Sequence, residues 1–117
     1  MIFGFFMITE HKFGSFVVDG KKYLGDMKIL DSLVRFWDRR KHTVSFEDIK
    51  DILDKRPEVF VIGTGNSGYL VVPPEIRDYI YSRRIALFID TNEKAIQKYN
   101  DSLLQNKRTC ALFHATC

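Results

Sequence analysis

Short apolar runs separated by turn residues organise this chain. Phe13 to Val18 is rich in β-forming residues, and Asp19-Gly20 followed by Lys21-Lys22-Tyr23 carries the signature of a tight two-residue hairpin, because both turn residues tolerate positive φ. Met27 to Leu30 and Leu33 to Trp37 read as further short strands joined at Asp31-Ser32. The N-terminal third is therefore expected to be β-rich.

The period changes at Ser45. With Ser45 as N-cap and Asp48 three residues on, Phe46, Ile49, Ile52 and Leu53 recur at helical spacing until Arg56-Pro57 stops them. Val59-Phe60-Val61-Ile62 is wholly apolar, the pattern of a central strand covered on both faces, and it ends at Gly63. Pro74 to Arg83 carries Ile76, Tyr79 and Ile80 on one face and opens with a proline suited to a first helical turn. Ile85 to Ile89 reads as another buried strand. Thr91 or Asp90 can cap a third helix with Ala95, Ile96, Tyr99 and Leu103, and Thr109 to Ala115 closes as a strand. Alternating strand and helix in the later half predict a layered α/β sheet with a β-rich N-terminal part and about three helices. No internal repeat or low-complexity linker interrupts it, so residues 1–117 are expected to form a single domain.

Composition agrees with a folded domain: 45% hydrophobic residues, among them ten Phe and five Tyr, with 28% charged. The net charge of +3 comes from 18 basic and 15 acidic residues interspersed along the chain, so no nucleic-acid footprint is expected. The densest basic run, Arg39-Arg40-Lys41-His42, lacks an accompanying aromatic recognition motif and reads as a solvated turn. The apolar start, Met1 to Phe6, is shorter than the about 20 residues that span a bilayer and has no basic flank of a secretory signal. No membrane partner is expected. Two cysteines are too few for a disulfide scaffold, and a cytoplasmic chain with free Cys110 and Cys117 is the reading.

The sharpest motif is Gly63-Thr64-Gly65-Asn66-Ser67-Gly68, which matches the dinucleotide pattern G-x-G-x-x-G after an apolar strand, with Asp90 where a ribose-binding carboxylate would stand. In that pattern a helix opens at the glycines and its N-terminus holds the pyrophosphate. Here Gly68 is followed by Tyr69-Leu70-Val71-Val72-Pro73-Pro74, an extended segment ending in paired prolines. No helix opens, so a nicotinamide or other dinucleotide cofactor is not expected, and a small-anion nest is the ligand reading that remains. Any site is placed at Gly63, Thr64, Gly65, Asn66, Ser67 and Gly68 with Asp90, Thr91 and Asn92 as neighbours. In an open α/β sheet ligands gather beyond the carboxyl ends of parallel strands. The condition is strand direction: the two turns converge only if Tyr69 to Val72 is a connector rather than a strand paired back on Val59 to Ile62.

Cys110, His114 and Cys117 are ligand types. On one extended strand, at about 3.3 Å per residue, Cys110 and His114 would stand about 13 Å apart and Cys117 would face the other way. A metal would require the strand's end to bend and His42 or His11 to join, so none is expected. Cys117 with His114 as base has an acceptable spacing, but no third, orienting residue is identifiable, and no catalytic residue is assigned.

Pro57 to Gly68, followed by Val72-Pro73-Pro74-Glu75, resembles the domain-of-unknown-function family that includes the adipogenesis-associated Mth-type domain protein and the mitochondrial complex I assembly factor three. Phe13-Gly14-Ser15, Asp19 to Tyr23, Trp37 through His42, Thr91, Tyr99-Asn100 and His114-Ala115-Thr116-Cys117 extend the likeness over residues 12 to 117. The resemblance implies a three-layer α/β fold with a mixed central sheet, an Mth-like fold, and relatives that act in assembly or signalling rather than in a defined reaction. Met7 resembles the customary start, which makes residues 1–6 an N-terminal extension. The function expected is a non-enzymatic protein-binding or assembly-type module with an unknown protein partner. The alternative is a small-molecule or anion-binding protein, or an enzyme, using the Gly63 to Gly68 loop.

Overall fold

A computed structural model describes residues 6–117, so the expected extension over residues 1–6 lies, Phe6 apart, outside the described residues. A small antiparallel sheet comes first: β1 (Ile8–Lys12), β2 (Ser15–Val18) and β3 (Lys21–Leu24), in that order. Asp19 and Gly20, between β2 and β3, have φ of 53° and 75°, as a two-residue turn with two left-handed positions requires. β1 has no counterpart among the sequence expectations. Its Glu10, His11 and Lys12 break the apolar pattern, and pairing with β2 makes it a strand.

β4 (Met27–Leu30) and β5 (Leu33–Phe36) form a hairpin at the edge of a second sheet, completed by β6 (Val59–Gly63), β7 (Ala86–Asp90) and β8 (Thr109–Phe113). Its order is β5-β4-β8-β6-β7. β6 runs parallel to both neighbours, while β8 runs antiparallel to β4, so the sheet is mixed. Three helices join it: α1 (Phe46–Asp54), α2 (Pro74–Ser82) and α3 (Asn92–Leu104).

The side-chain period of a strand divides the core into two layers. On one face of β6, Phe60 and Ile62 pack with Ile49, Ile52 and Leu53 of α1 and Ile76 and Ile80 of α2. On the other, Val59 and Val61 join Ala95 and Tyr99 of α3 and Phe16 and Val18 of the small sheet. Helices, mixed sheet, then helix plus small sheet give the three-layer α/β fold. Asp48 ties α1 into it: its carboxylate accepts hydrogen bonds from Ser45 N (2.8 Å), Ser45 Oγ (3.0 Å) and Trp37 Nε1 (3.0 Å).

Three sequence expectations need correction. Ile85 to Ile89 is not a strand buried on both faces: β7 lies at the sheet edge, with Ala86 exposed and Leu87 to Asp90 partly so. Partial cover by helices on either side is enough to favour the apolar residues read there. The last strand ends at Phe113 rather than Ala115. Trp37 lies just past β5, where its ring is buried. Tyr69 to Val72 is the connector that convergence requires: β6 pairs with β7 and β8 instead, and the segment's backbone bonds run to Cys117, Thr64, His42 and Val44. Among the described residues no helix is long and apolar enough to cross a membrane.

Candidate functional site

The parallel pairing of β6 and β7 sets Gly63 beside Asp90, so the two turns after these strands meet. Thr64 N and Thr64 Oγ1 both donate to Asp90 O, at 2.9 and 3.1 Å. Gly65 N donates to Asn92 Oδ1 at 3.1 Å and Gly65 O accepts from Asn92 N at 3.1 Å. Thr91 is the N-cap of α3, and its own N–H donates to Asp90 Oδ1 at 2.7 Å. Asn66 and Ser67 continue the loop outward, and Gly68, with φ of 79°, turns it back beside Thr64 and Thr91.

What the loop holds is the chain's own last residues. After Phe113 the backbone leaves the strand: Asn66 N donates to Thr116 O at 2.7 Å, and Ser67 N and Tyr69 N donate to Cys117 O at 3.2 and 3.1 Å. Asn92, fully buried, donates from Nδ2 to His114 O at 2.7 Å. A Cβ on Gly65 would stand 2.5 Å from the Cys117 carbonyl carbon and 2.9 Å from the His114 ring. The glycine thus provides close backbone approach, the property that the dinucleotide motif uses, but towards this protein segment. The amides of Thr64, Gly65, Asn66 and Ser67, which an anion nest would offer, are engaged by protein carbonyls.

The bend assembles a second group of side chains. His114 is wholly buried, and its Nδ1 donates to Asp26 Oδ1 at 3.0 Å, since a carboxylate can only accept. That leaves Nε2 as the lone-pair nitrogen, with the Thr116 hydroxyl 3.4 Å away. The exposed His42 meets His114 edge-on with ring centroids 5.2 Å apart. Donor atoms of His42, His114 and Cys117 all lie within 4.8 Å of one another. The extended geometry that separates these residues in the sequence reading therefore does not hold beyond Phe113. Cys110 stays in the strand, buried against the α1 and α2 layer, and both cysteines are free thiols. His11 packs on Phe16 instead.

Asp26 is the residue that sequence reasoning missed. It also accepts from Ala115 N at 2.7 Å and Arg39 Nε at 2.7 Å. Burial pushes its carboxyl up, but the bonds from Ala115, Arg39 and His114, with the Arg39 charge, outweigh this and hold it below the usual carboxylate range. Burial also lowers the His114 pKa, beyond what the bond and charge of Asp26 restore. In sequence Asp26 follows a glycine between two strands and looks like an ordinary turn residue.

Asp26→Asn is expected to lower the unfolding free energy by about 1.5–3 kcal/mol at pH 7, the range for hydrogen bonds to a charged group. A carboxyl depressed in the folded state stabilises above its unfolded pKa of about 3.9 and loses that contribution as pH falls through the folded value. The gap between wild type and variant should accordingly close below about pH 4, as denaturant titrations at successive pH values would record. Burial pushes the Cys110 thiol up to about 11, whereas Cys117 is partly exposed. Iodoacetamide at pH 8 should modify Cys117 alone in the native protein and both thiols after unfolding, as read by mass spectrometry.

A family model described as protein of unknown function (DUF498/DUF598) matches residues 8–114. The chain belongs to this family. Solved structures similar to this DUF498 chain share its fold. MT938 is 27% identical with a TM-score of 0.80, over 95% of this chain and 98% of that one. Conserved hypothetical protein PH1505 from Pyrococcus horikoshii OT3 is 24% identical with a TM-score of 0.82, over 94% and 98%. An outer membrane protein from Bartonella henselae is 24% identical with a TM-score of 0.83, over 97% and 98%. The Mth-like family and fold expected from the sequence are those of this DUF498 chain.

A groove of about 580 Å³ lies elsewhere, between β5 and α1. On its wall Asp51 bridges Lys28 at 3.0 Å and Arg35 at 3.1 Å.

Proposed function

We propose that this chain is a cytoplasmic, non-enzymatic protein-binding module of assembly type. One observation supports the reading best. Phe13, Leu24 and Phe36 are 68%, 73% and 65% exposed, and all three belong to one junction between the two sheets. Gly14, which follows Phe13, accepts at its carbonyl the bond from Gly25 N, which follows Leu24, at 2.9 Å. Phe36 lies against Gly25, 3.2 Å from where a Cβ would stand. Three large apolar side chains left in water at one place are the usual mark of a surface that a partner covers. Lys22, exposed and two residues from Leu24, shares its strand face, so the partner expected is a protein surface with an apolar centre and an acidic fringe.

The reading is tested by quantitative affinity purification with wild type, Leu24→Glu/Phe36→Glu, and Leu104→Glu as a control at an exposed residue on α3. Proteins enriched by wild type should be lost with the double variant and kept with Leu104→Glu. Retention by all three would contradict it, as would a metabolite that stabilises the protein at saturating concentration.

A further inference from the structure

We propose that His42, His114 and Cys117 bind one zinc ion, with the fourth position open to water or an exogenous ligand. Two imidazoles and one thiolate are a donor set that suits zinc, and three protein ligands with one open position is the arrangement of reactive rather than purely structural zinc sites. With bonds of about 2.0–2.1 Å to nitrogen and about 2.3 Å to sulfur, tetrahedral donor atoms stand about 3.3–3.7 Å apart. The three here lie within 4.8 Å of one another, so closure of about 1 Å completes the site.

The parts that must be rigid are rigid. Asp26 holds His114 Nδ1 and, through Ala115 N, the following backbone. This is the carboxylate-to-histidine arrangement that fixes the ring and presents the other nitrogen to a metal. Asn92 fixes the His114 carbonyl, and the loop amides of Asn66, Ser67 and Tyr69 fix Thr116 and Cys117. His42 has its carbonyl bound by Val71 N at 2.8 Å, while its side chain is exposed and can make the closing movement.

The competing chemistry is a nucleophilic Cys117 with His114 as base and Asp26 as its orienter. Acyl transfer of that kind needs donors for a developing oxyanion. The amides of Asn66, Ser67 and Tyr69 are spent on the Thr116 and Cys117 carbonyls. A second imidazole has no role in that scheme, whereas a metal gives it one.

The test uses the full chain, tag-free and stripped with a chelator, titrated with Co²⁺ and then with Zn²⁺. One Co²⁺ per chain should produce intense visible bands of a tetrahedral site and a near-ultraviolet thiolate-to-cobalt band, both removed by one equivalent of Zn²⁺. Cys117→Ser should abolish the thiolate band. It and His42→Ala should each weaken zinc by more than the about 10–100-fold that losing an outer hydrogen-bond partner costs. Both altered side chains lie at least partly in solvent, and circular dichroism verifies that the variants fold. Cys110→Ala should leave spectrum and affinity unchanged. A pale octahedral spectrum, a thiolate band that survives in Cys117→Ser, or zinc affinity unchanged in His42→Ala would overturn the proposal. None of these measurements involves the apolar junction or its partner, so the two readings fail separately.

Discussion

Gly65→Ala is expected to lower the unfolding free energy by about 2–5 kcal/mol. Two effects add. The φ of Gly65 is 105°, a conformation that costs an L side chain about 1–2 kcal/mol, and inserting a methyl where there is no room costs about 1–3 kcal/mol more. The obstruction is backbone, the Cys117 carbonyl group at 2.5 and 2.7 Å, with the His114 ring at 2.9 Å, so a rotamer change cannot relieve it. Gly14→Ala is the matched control: its φ is 93°, and nothing lies within 4 Å of an added Cβ. It should lose only the backbone contribution. Urea denaturation of the two variants separates them, and faster alkylation of native Cys117 in Gly65→Ala alone would show that the last residues have been displaced.

Phe60→Ala should cost about 3–5 kcal/mol, the range for removing a fully buried phenyl ring. Phe60 sits in the middle of β6, hydrogen-bonded to strands on both sides, and its ring has no exposed surface. It points into the layer under α1 and α2 with Ile52, Ile76 and Ile80, helices whose short amphipathic faces depend on that contact. Leu104→Ala, on a residue 62% exposed, should fall within about 0.5 kcal/mol of wild type. Equal effects at the two positions by chemical denaturation would mean that Val59 to Ile62 is not the central strand described.

The sequence pattern was most informative where one residue type serves one physical demand. The unbroken apolar run Val59 to Ile62 fitted a strand covered twice, Asp19-Gly20 fitted a turn with two positive φ angles, and Ser45 with Asp48 marked the start of α1. It was weakest where pairing rather than composition decides. Glu10, His11 and Lys12 form a strand because β2 accepts them, and β7 carries a core-like sequence at a sheet edge. At the site, Gly63 to Gly68 and Asp90 to Asn92 were legible as neighbours because strand, helix and strand lengths bring the two turns together. Asp26 was not, because its partners His114 and Ala115 lie almost ninety residues away and one-dimensional spacing carries no sign of them. The same holds for Cys117: extended-strand geometry sets it apart from His114, and only the loop amides that bend the chain at Phe113 return it.

The most direct test of this account is amide hydrogen exchange, residue by residue, in the Gly63 to Gly68 loop and at Tyr69, with and without added inorganic phosphate or a dinucleotide. If the loop is a clamp for the last residues, the N–H groups of Asn66, Ser67 and Tyr69 will be protected by the Thr116 and Cys117 carbonyls and will not respond to either anion. Exchange at the rate of an unfolded chain, or protection that appears only when phosphate or dinucleotide is added, would show instead that the loop is a free anion site and would contradict the account.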